Sequence, residues 1–317
     1  MLDTLIFSLN AVLPLALLMG LGLLLRKLGV CKKEFFQAAN GFSFKVLLPV
    51  MLFKNIYDAA QTHQSFDWLY VGIGLGGIAL TTVLLMLIIP RLVREPKRTG
   101  VVVQGIYRSN FLIFGIPVIV NMFGESELWA TSMLIPLIIP YFNLTAVFVL
   151  EWFQHRGQHH TSGKVLVRKI LTTPLIVAAL ASFAFILTGL EIPHILYGVV
   201  GDVAGLASPL ALIALGGMLN FSTLGRNLRD IMITSVAKLV LVPALLVGAG
   251  AAAGYTGPYI GALLTLGGAP AAVSSYVMAE QSGNDGELAA QIVAVTTVLS
   301  ILTMFGWVFV LRSMGLL

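Results

Sequence analysis

Apolar runs long enough to cross a bilayer follow one another along the whole chain, separated by short polar clusters. Ten can be delimited, at about 4–25, 37–57, 67–90, 100–122, 128–152, 170–190, 195–221, 230–254, 257–281 and 287–312. Each has roughly 17–28 residues, the length a helix needs to traverse a hydrocarbon core of about 30 Å. The second is the weakest, because Asn40, Ser43 and Lys45 dilute its start. Two runs carry the same interruption. Gly115-Ile116-Pro117-Val118-Ile119-Val120 in the fourth and Gly268-Ala269-Pro270-Ala271-Ala272-Val273 in the ninth share the pattern G-x-P-x-x-V. Proline removes a backbone donor and clashes with the preceding turn, so both helices are expected to break or kink. Irregular backbone at membrane depth is tolerated only where protein or a water-filled cavity covers it. Paired broken helices at corresponding places in two halves point to the binding site of a transporter.

Loop charge sets the expected orientation. Of the 19 Lys and Arg, 14 fall in the first, third, fifth and seventh loops: Arg26, Lys27, Lys32, Lys33, Arg91, Arg94, Lys97, Arg98, Arg156, Lys164, Arg168, Lys169, Arg226 and Arg229. Lys54 and Arg312 fall on the other side, so the positive-inside rule predicts both termini outside, in the cell inner membrane. Composition agrees: 58% of residues are hydrophobic and 10% charged, with mean hydropathy +0.94, against about 25% charged in soluble domains. The net charge of +5 resides in short loops and is no nucleic-acid signal. The N-terminus lacks a basic n-region and a small-residue cleavage site, so its apolar run reads as a retained first span. Cys31 stands alone, which excludes an intrachain disulfide and a cysteine metal cluster.

The prolines suggest a repeat. Pro14 and Pro174 lie 160 residues apart, as do Pro49 and Pro209, while Pro117 and Pro270 lie 153 apart. Five spans per half is an odd number, so the second half inserts upside down relative to the first. The expected fold is an all-α polytopic membrane protein of ten transmembrane helices in two inverted five-helix repeats, 1–152 and 170–317, with broken, crossing helices 4 and 9. A cytoplasmic linker, 153–169, joins them. Its His155, His159 and His160 form a candidate metal cluster, set against the plainer reading of a solvated loop.

Pro117 and Pro270 suit the first turn of a new helix, where the missing N–H would be unpaired anyway. Two half-helix N-termini converging near the midplane would favour an anion. Asn110 lies about ten residues, roughly 15 Å, into its run; an amide at that depth is expensive unless paired. Arg108 is the sharper case, since ionisable residues within spans are by default functional. It is a candidate for carboxylate attraction, for snorkelling, or for a structural pair with Glu280. Ser109, Gly115, Ser274 and Ser275 complete the substrate-binding candidates. Hydroxyls also glue membrane helices together. Glu280 and Asp202 are candidate coupling carboxylates or, equally, interfacial residues. Lys45 and Lys238 lie nearer span ends, where snorkelling is expected.

No catalytic chemistry stands out. H-E-x-x-H, G-x-S-x-G and the G-x-x-x-x-G-K-[ST] loop are all missing, so no enzyme activity, metal, cofactor or ATP coupling is expected. Tyr57-Asp58 and Gly201-Asp202 are similar to paired intramembrane aspartates but fall at span ends.

The run Arg108-Ser-Asn-Phe-Leu-Ile-Phe-Gly-Ile-Pro117 resembles the fourth span of the auxin efflux carrier family, which includes bacterial carriers and the plant PIN-FORMED exporters. Ala269-Pro270-Ala-Ala-Val-Ser-Ser-Tyr-Val-Met-Ala-Glu-Gln281 resembles its ninth. Asn40 to Phe53 and Pro209 to Leu219 are similar to its second and seventh. The resemblance implies the inverted-repeat fold shared with bile-acid sodium symporters, a scaffold domain, a transport domain, and dimers through the scaffold. It implies that Asn110, Pro117 and Pro270 border an anion site. Bacterial relatives are linked to dicarboxylates such as malate and malonate. The expected function is therefore a secondary transporter of small organic anions, mono- or dicarboxylates such as malonate and malate or auxin-like acids, working by alternating access with a midplane site at the crossed broken helices. A passive anion channel driven by membrane potential and a non-transporting membrane receptor are the alternatives. The long central loop of the plant exporters is missing.

Overall fold

The computed structural model describes residues 2–61, 66–155, 174–219 and 227–317. The linker expected over 153–169 lies outside the described residues from 156 on, and so do His159 and His160. Every named element is helical. Leu2–Lys27 (α1) is followed by Lys33–Phe42 (α2), which runs through a π turn, Ser43–Leu47, into Leu48–Gln61 (α3). Trp68–Leu92 (α4) precedes Pro96–Tyr107 (α5), a π turn at Phe111–Gly115, Ile116–Phe123 (α6) and Trp129–His155 (α7). Then come Pro174–Leu187 (α8), His194–Met218 (α9), Leu228–Val236 (α10), a π turn at Ala237–Leu241 and Val242–Ala252 (α11). Pro258–Gly268 (α12), Ser274–Gln281 (α13) and Gly286–Ser313 (α14) close the chain. Among the described residues, seven helices or continuous helical runs are long and apolar enough to cross a membrane. The protein is an all-helical, multi-pass membrane protein.

Burial sorts the helices into rim and centre. In α1, Ala11, Val12, Leu15 and Met19 face inward, while Leu5, Leu9, Leu13, Leu17 and Leu24 are exposed, as expected of a helix with one face on protein and the rest on lipid. By contrast every residue of Thr99–Tyr107 in α5 and of Ile260–Gly268 in α12 is buried. The two interrupted helices form the centre, where irregular backbone is shielded from hydrocarbon. Small residues let the rim close: a Cβ on Gly22 of α1 would collide with the carbonyl oxygen of Ile213, and one on Gly216 of α9 with that of Met19. Such backbone contact is how helices associate in lipid, where no hydrophobic force drives them together.

Each π turn has the same cause. Pro49, Pro117 and Pro243 stand two residues beyond Leu47, Gly115 and Leu241, the last residues of the three turns. Proline cannot donate to the carbonyl four residues back and its ring crowds it. The helix widens, and the residue before each proline donates five residues back: Leu48 to Ser43, Ile116 to Phe111 and Val242 to Ala237. One freed carbonyl, that of Leu239, accepts the Trp307 indole N–H at 2.9 Å.

This corrects the expected break. Pro117 stands at the start of α6, but the helical backbone already begins at Phe111; the extended segment is Arg108–Asn110. Pro270, in contrast, lies in the extended segment itself, four residues before α13 begins. The two G-x-P motifs therefore do different work: one widens a helix, the other sits in a break.

Candidate functional site

The two extended segments cross at the centre. Ser109 and Ala271 form an antiparallel bridge. The Asn110 N–H donates to the Pro270 carbonyl at 2.7 Å and the Ala272 N–H to the Arg108 carbonyl at 3.3 Å. The Ala271 N–H donates to Thr296 Oγ1 of α14 at 3.1 Å. Backbone groups freed from helix are thus satisfied by one another and by a hydroxyl. Beyond the crossing neither helix N-terminus is capped by a side chain: Asn110 precedes the Phe111–Gly115 turn and Val273 precedes α13 without one.

A cavity of about 220 Å³ abuts this crossing, lined by Arg108, Ser109, Asn110, Ser274, Asn143 and Met278 with Phe44, Phe142 and other apolar side chains. Arg108 is 5% exposed and Asn110 4%. The Arg108 guanidinium donates to Asn143 Oδ1 at 2.9 Å and abuts the Met278 sulfur. Among the described residues it has no carboxylate partner; the expected pair with Glu280 does not form. Glu280 is exposed at the end of α13. The Nδ2 amide of Asn110 is buried with no hydrogen-bond partner among the described residues, as is Ser275 Oγ. Ser109 Oγ reaches the Thr265 and Ala269 carbonyls only at 3.5 Å.

The structure thus brings Arg108, Ser109, Asn110 and Ser274 to one cavity and sets the other candidates elsewhere. Gly115 is a packing position: a Cβ there would be 3.0 Å from Phe111 Cδ2 and 3.2 Å from Thr265 Cβ. Pro270 contributes its carbonyl to the crossing. Pro117 lines a second cavity, about 250 Å³, with Pro14, Pro209, Asn55, Asn121 and Lys54. This second cavity is displaced along the same helices, from Phe44 to Met51–Asn55 and from Leu112 to Ile116–Asn121. Its cation is engaged, since Lys54 pairs with Asp58 at 2.6 Å and Asp58 also accepts from the Tyr197 hydroxyl at 2.9 Å. Asp202 is exposed on α9. Lys45 is exposed, but Lys238 is fully buried rather than snorkelled. Two groups escaped the sequence reading: Asn143, an amide deep in an apolar run, and Gln104, buried on α5 with both side-chain polar atoms unpartnered among the described residues.

Away from the crossing, Asp67 caps α4 by accepting the Tyr70 N–H at 2.9 Å and takes the Tyr255 hydroxyl at 2.8 Å. The Tyr70 N–H, and to a lesser degree that hydroxyl, hold its carboxyl below the usual carboxylate range, and burial with the same pairing pushes Tyr255 up to about 12.

A family model described as "Membrane transport protein" matches residues 7–308. An "Uncharacterized transporter" of Methanothermobacter thermautotrophicus is 25% identical over 307 residues, 96% of this chain and 98% of that protein. A "Putative malonate transporter" of Rhizobium meliloti is 31% identical over 149 residues, 47% of each chain.

Proposed function

The chain belongs to the membrane transport protein family, that of the auxin efflux carriers, and from this we propose that it is a secondary carrier of small organic anions whose substrate lies in the cavity at the crossing. The observation that carries the reading is Arg108. A buried guanidinium without a carboxylate is costly, and here it borders a cavity of small-molecule size beside an unused amide donor and two uncapped helix N-termini. An anion satisfies all of these groups at once. The name of the Rhizobium relative adds dicarboxylates as the substrate class to test first.

We read the chain as ten spans in two inverted repeats. Support comes from spacing: the runs Trp68–Leu92 and Leu228–Ala252 start and end 160 residues apart. Pro96 and Pro258, which open α5 and α12, and Ser109 and Ala271, the bridge partners, lie 162 apart. The 153-residue spacing of Pro117 and Pro270 departs from this series because those prolines are not equivalent. We divide the helices into two bodies: α2, α3, α8 and α9 pack with one another and with α1, and the other body holds the crossing and the remaining helices, with α1 also packed on α6 and α14 at the boundary. Each cavity has walls from both bodies, as alternating access by rocking requires. Loop charge supports both termini outside.

The test is counterflow of labelled malonate, malate and succinate in liposomes. Saturable exchange is expected, with Arg108→Gln raising KM about tenfold or more, the loss of one hydrogen bond to a charged group being about 1.5–3 kcal/mol. Arg108→Gln and Asn110→Ala proteins that exchange with unchanged KM would place the site elsewhere. Flux that never saturates would favour a channel.

A further inference from the structure

One end of the helix bundle holds a charged recess that has no part in the crossing. Four arginines, Arg91, Arg94, Arg98 and Arg229, line about 370 Å³ there together with Glu95 and Asp230. The walls are the end of α4, the connection to α5, and the first turns of α5 and α10. Arg98 is fixed by its neighbours. Its guanidinium donates to Asn227 Oδ1 at 2.7 Å, pairs with Asp230 at 2.7 Å, and lies 3.8 Å from the Asp285 carboxylate. Arg91 donates back to the Leu87 carbonyl of its own helix. Arg94 and Arg229 are exposed, and among the described residues neither has a hydrogen bond or an ion pair from its side chain. Four guanidiniums face two carboxylates, which leaves an excess of two positive charges.

The recess stands where hydrocarbon gives way to water. The apolar run Trp68–Leu92 ends in it, and the run Leu228–Ala252 begins in it. The two runs are neighbours, since a Cβ on Gly77 of α4 would collide with the Leu246 side chain of α11. Each carries an exposed apolar stripe that leads to an arginine. On α4, Leu80, Leu84 and Leu87 are exposed, and Arg91 continues their face at helical spacing. On the other run, Val240, Val236 and Met232 are exposed, and Arg229 continues theirs.

A guanidinium fork matches the oxygens of a phosphate. A soluble phosphate would use the arginines alone. A molecule with a phosphate at one end and hydrocarbon at the other uses the arginines and both stripes. We propose that the recess binds an anionic phospholipid, with its phosphate diester held by Arg94 and Arg229 and its acyl chains along α4 and α10. Basic pockets between spans take anionic head groups in this way. A zwitterionic lipid fits less well, because the excess positive charge repels its ammonium. The site shares no residue with either cavity described above, so the proposal does not depend on what the crossing carries.

The experiment uses the full chain in a non-ionic detergent, with added phosphatidylglycerol, phosphatidylcholine or glycerol 3-phosphate. Phosphatidylglycerol is expected to raise the unfolding temperature to a plateau, as a ligand of the folded state does, and native mass spectrometry should retain one such lipid per chain. Phosphatidylcholine at the same concentration should do neither; this selectivity is read on the wild type and needs no variant. Arg94→Gln with Arg229→Gln should raise the concentration of phosphatidylglycerol that gives half the shift about tenfold or more, the effect of losing hydrogen bonds to a charged group. Both side chains are exposed, so the variant should unfold with the wild type when no lipid is added. Lys32→Gln with Lys33→Gln, which removes two exposed cations from another loop, should bind as the wild type does. Equal weakening by the two pairs would mean diffuse attraction without a site and would overturn the proposal. Equal binding of the two lipids, which shows that the head group is not read, overturns it as well. A shift by glycerol 3-phosphate as large as the lipid's, and lost in Arg94→Gln with Arg229→Gln, gives the recess to a soluble phosphate ester and overturns the lipid.

Discussion

Arg108 depends on Asn143 for its aim. A guanidinium carries five donors, and Asn143 Oδ1 takes one of them at 2.9 Å, which leaves others for a ligand. Asn143→Ala is expected to weaken substrate binding about tenfold, by releasing the guanidinium from its orientation, and to leave saturable exchange intact. KM from counterflow reads this; an unchanged KM would mean that Arg108 is held by packing alone. Asp67 makes a prediction of a different kind. Its folded value lies below the ordinary 3.8, so its contribution to stability is fully present above that value and is lost as pH falls through the lowered one. Asp67→Ala should cost about 1 kcal/mol as a lost helix cap, and the gap to wild type in detergent-melting experiments should close as the pH drops below the carboxylate range. Arg108 and Asn110 could be found from the sequence because ionisable and amide groups are rare in apolar runs. Asn143 escaped notice because nothing in its own run names a partner; its role appears only once Arg108 is seen across from it. Lys238 was misplaced because depth along a run does not tell which way a side chain turns. Thr234 and Pro243, on either side of it in the chain, pack against Gly105 and Gly267, and its side chain is fully buried.

At the scale of the helix, proline position and backbone breaks separate. Each of the three π turns precedes a proline, yet Pro14, Pro90, Pro136, Pro140 and Pro209 stand inside helices without one, and the proline rule makes Pro117 look like the break. The break at Arg108–Asn110 contains no proline. What defines it is the partner segment: the Pro270 and Arg108 carbonyls accept hydrogen bonds across the crossing, a pairing of residues about 160 positions apart that no local pattern encodes. The Ala237–Leu241 turn offers a clean test of cause. Pro243 frees the Leu239 carbonyl, and the Trp307 indole answers it. Trp307→Phe should leave that buried carbonyl unpaired, at a cost of about 1–3 kcal/mol, and lower the unfolding temperature in detergent. Where Pro243→Ala has already given the carbonyl an N–H four residues on, the same change should cost much less. Equal losses in the two backgrounds would show that the indole acts by packing and not by this bond.

At the scale of the molecule, the question is whether two bodies move. The helix packing was legible only in outline, because buried spans are apolar on every side and carry no periodicity that names their neighbours; the two-body division is a proposal, and α1 packs on α14 and α6 as well as on α9. Across the divide, Asn121 of α6 donates to the Ala11 carbonyl of α1 at 3.2 Å, next to the cavity that Asn121 helps to line. If the bodies rock, this contact, which joins them across the divide, is expected to open in each cycle. In a Cys31→Ser background, which removes the native thiol, Ala11→Cys with Asn121→Cys and a short bis-thiol cross-linker should stop malonate exchange, and a cleavable linker should restore it on cleavage. Malonate binding in detergent should persist in the cross-linked protein, since the cavity at the crossing lies on other residues. Undiminished exchange at complete cross-linking would mean that α1 and α6 travel together, and the dividing surface would then have to run between other helices, such as α3 and α7.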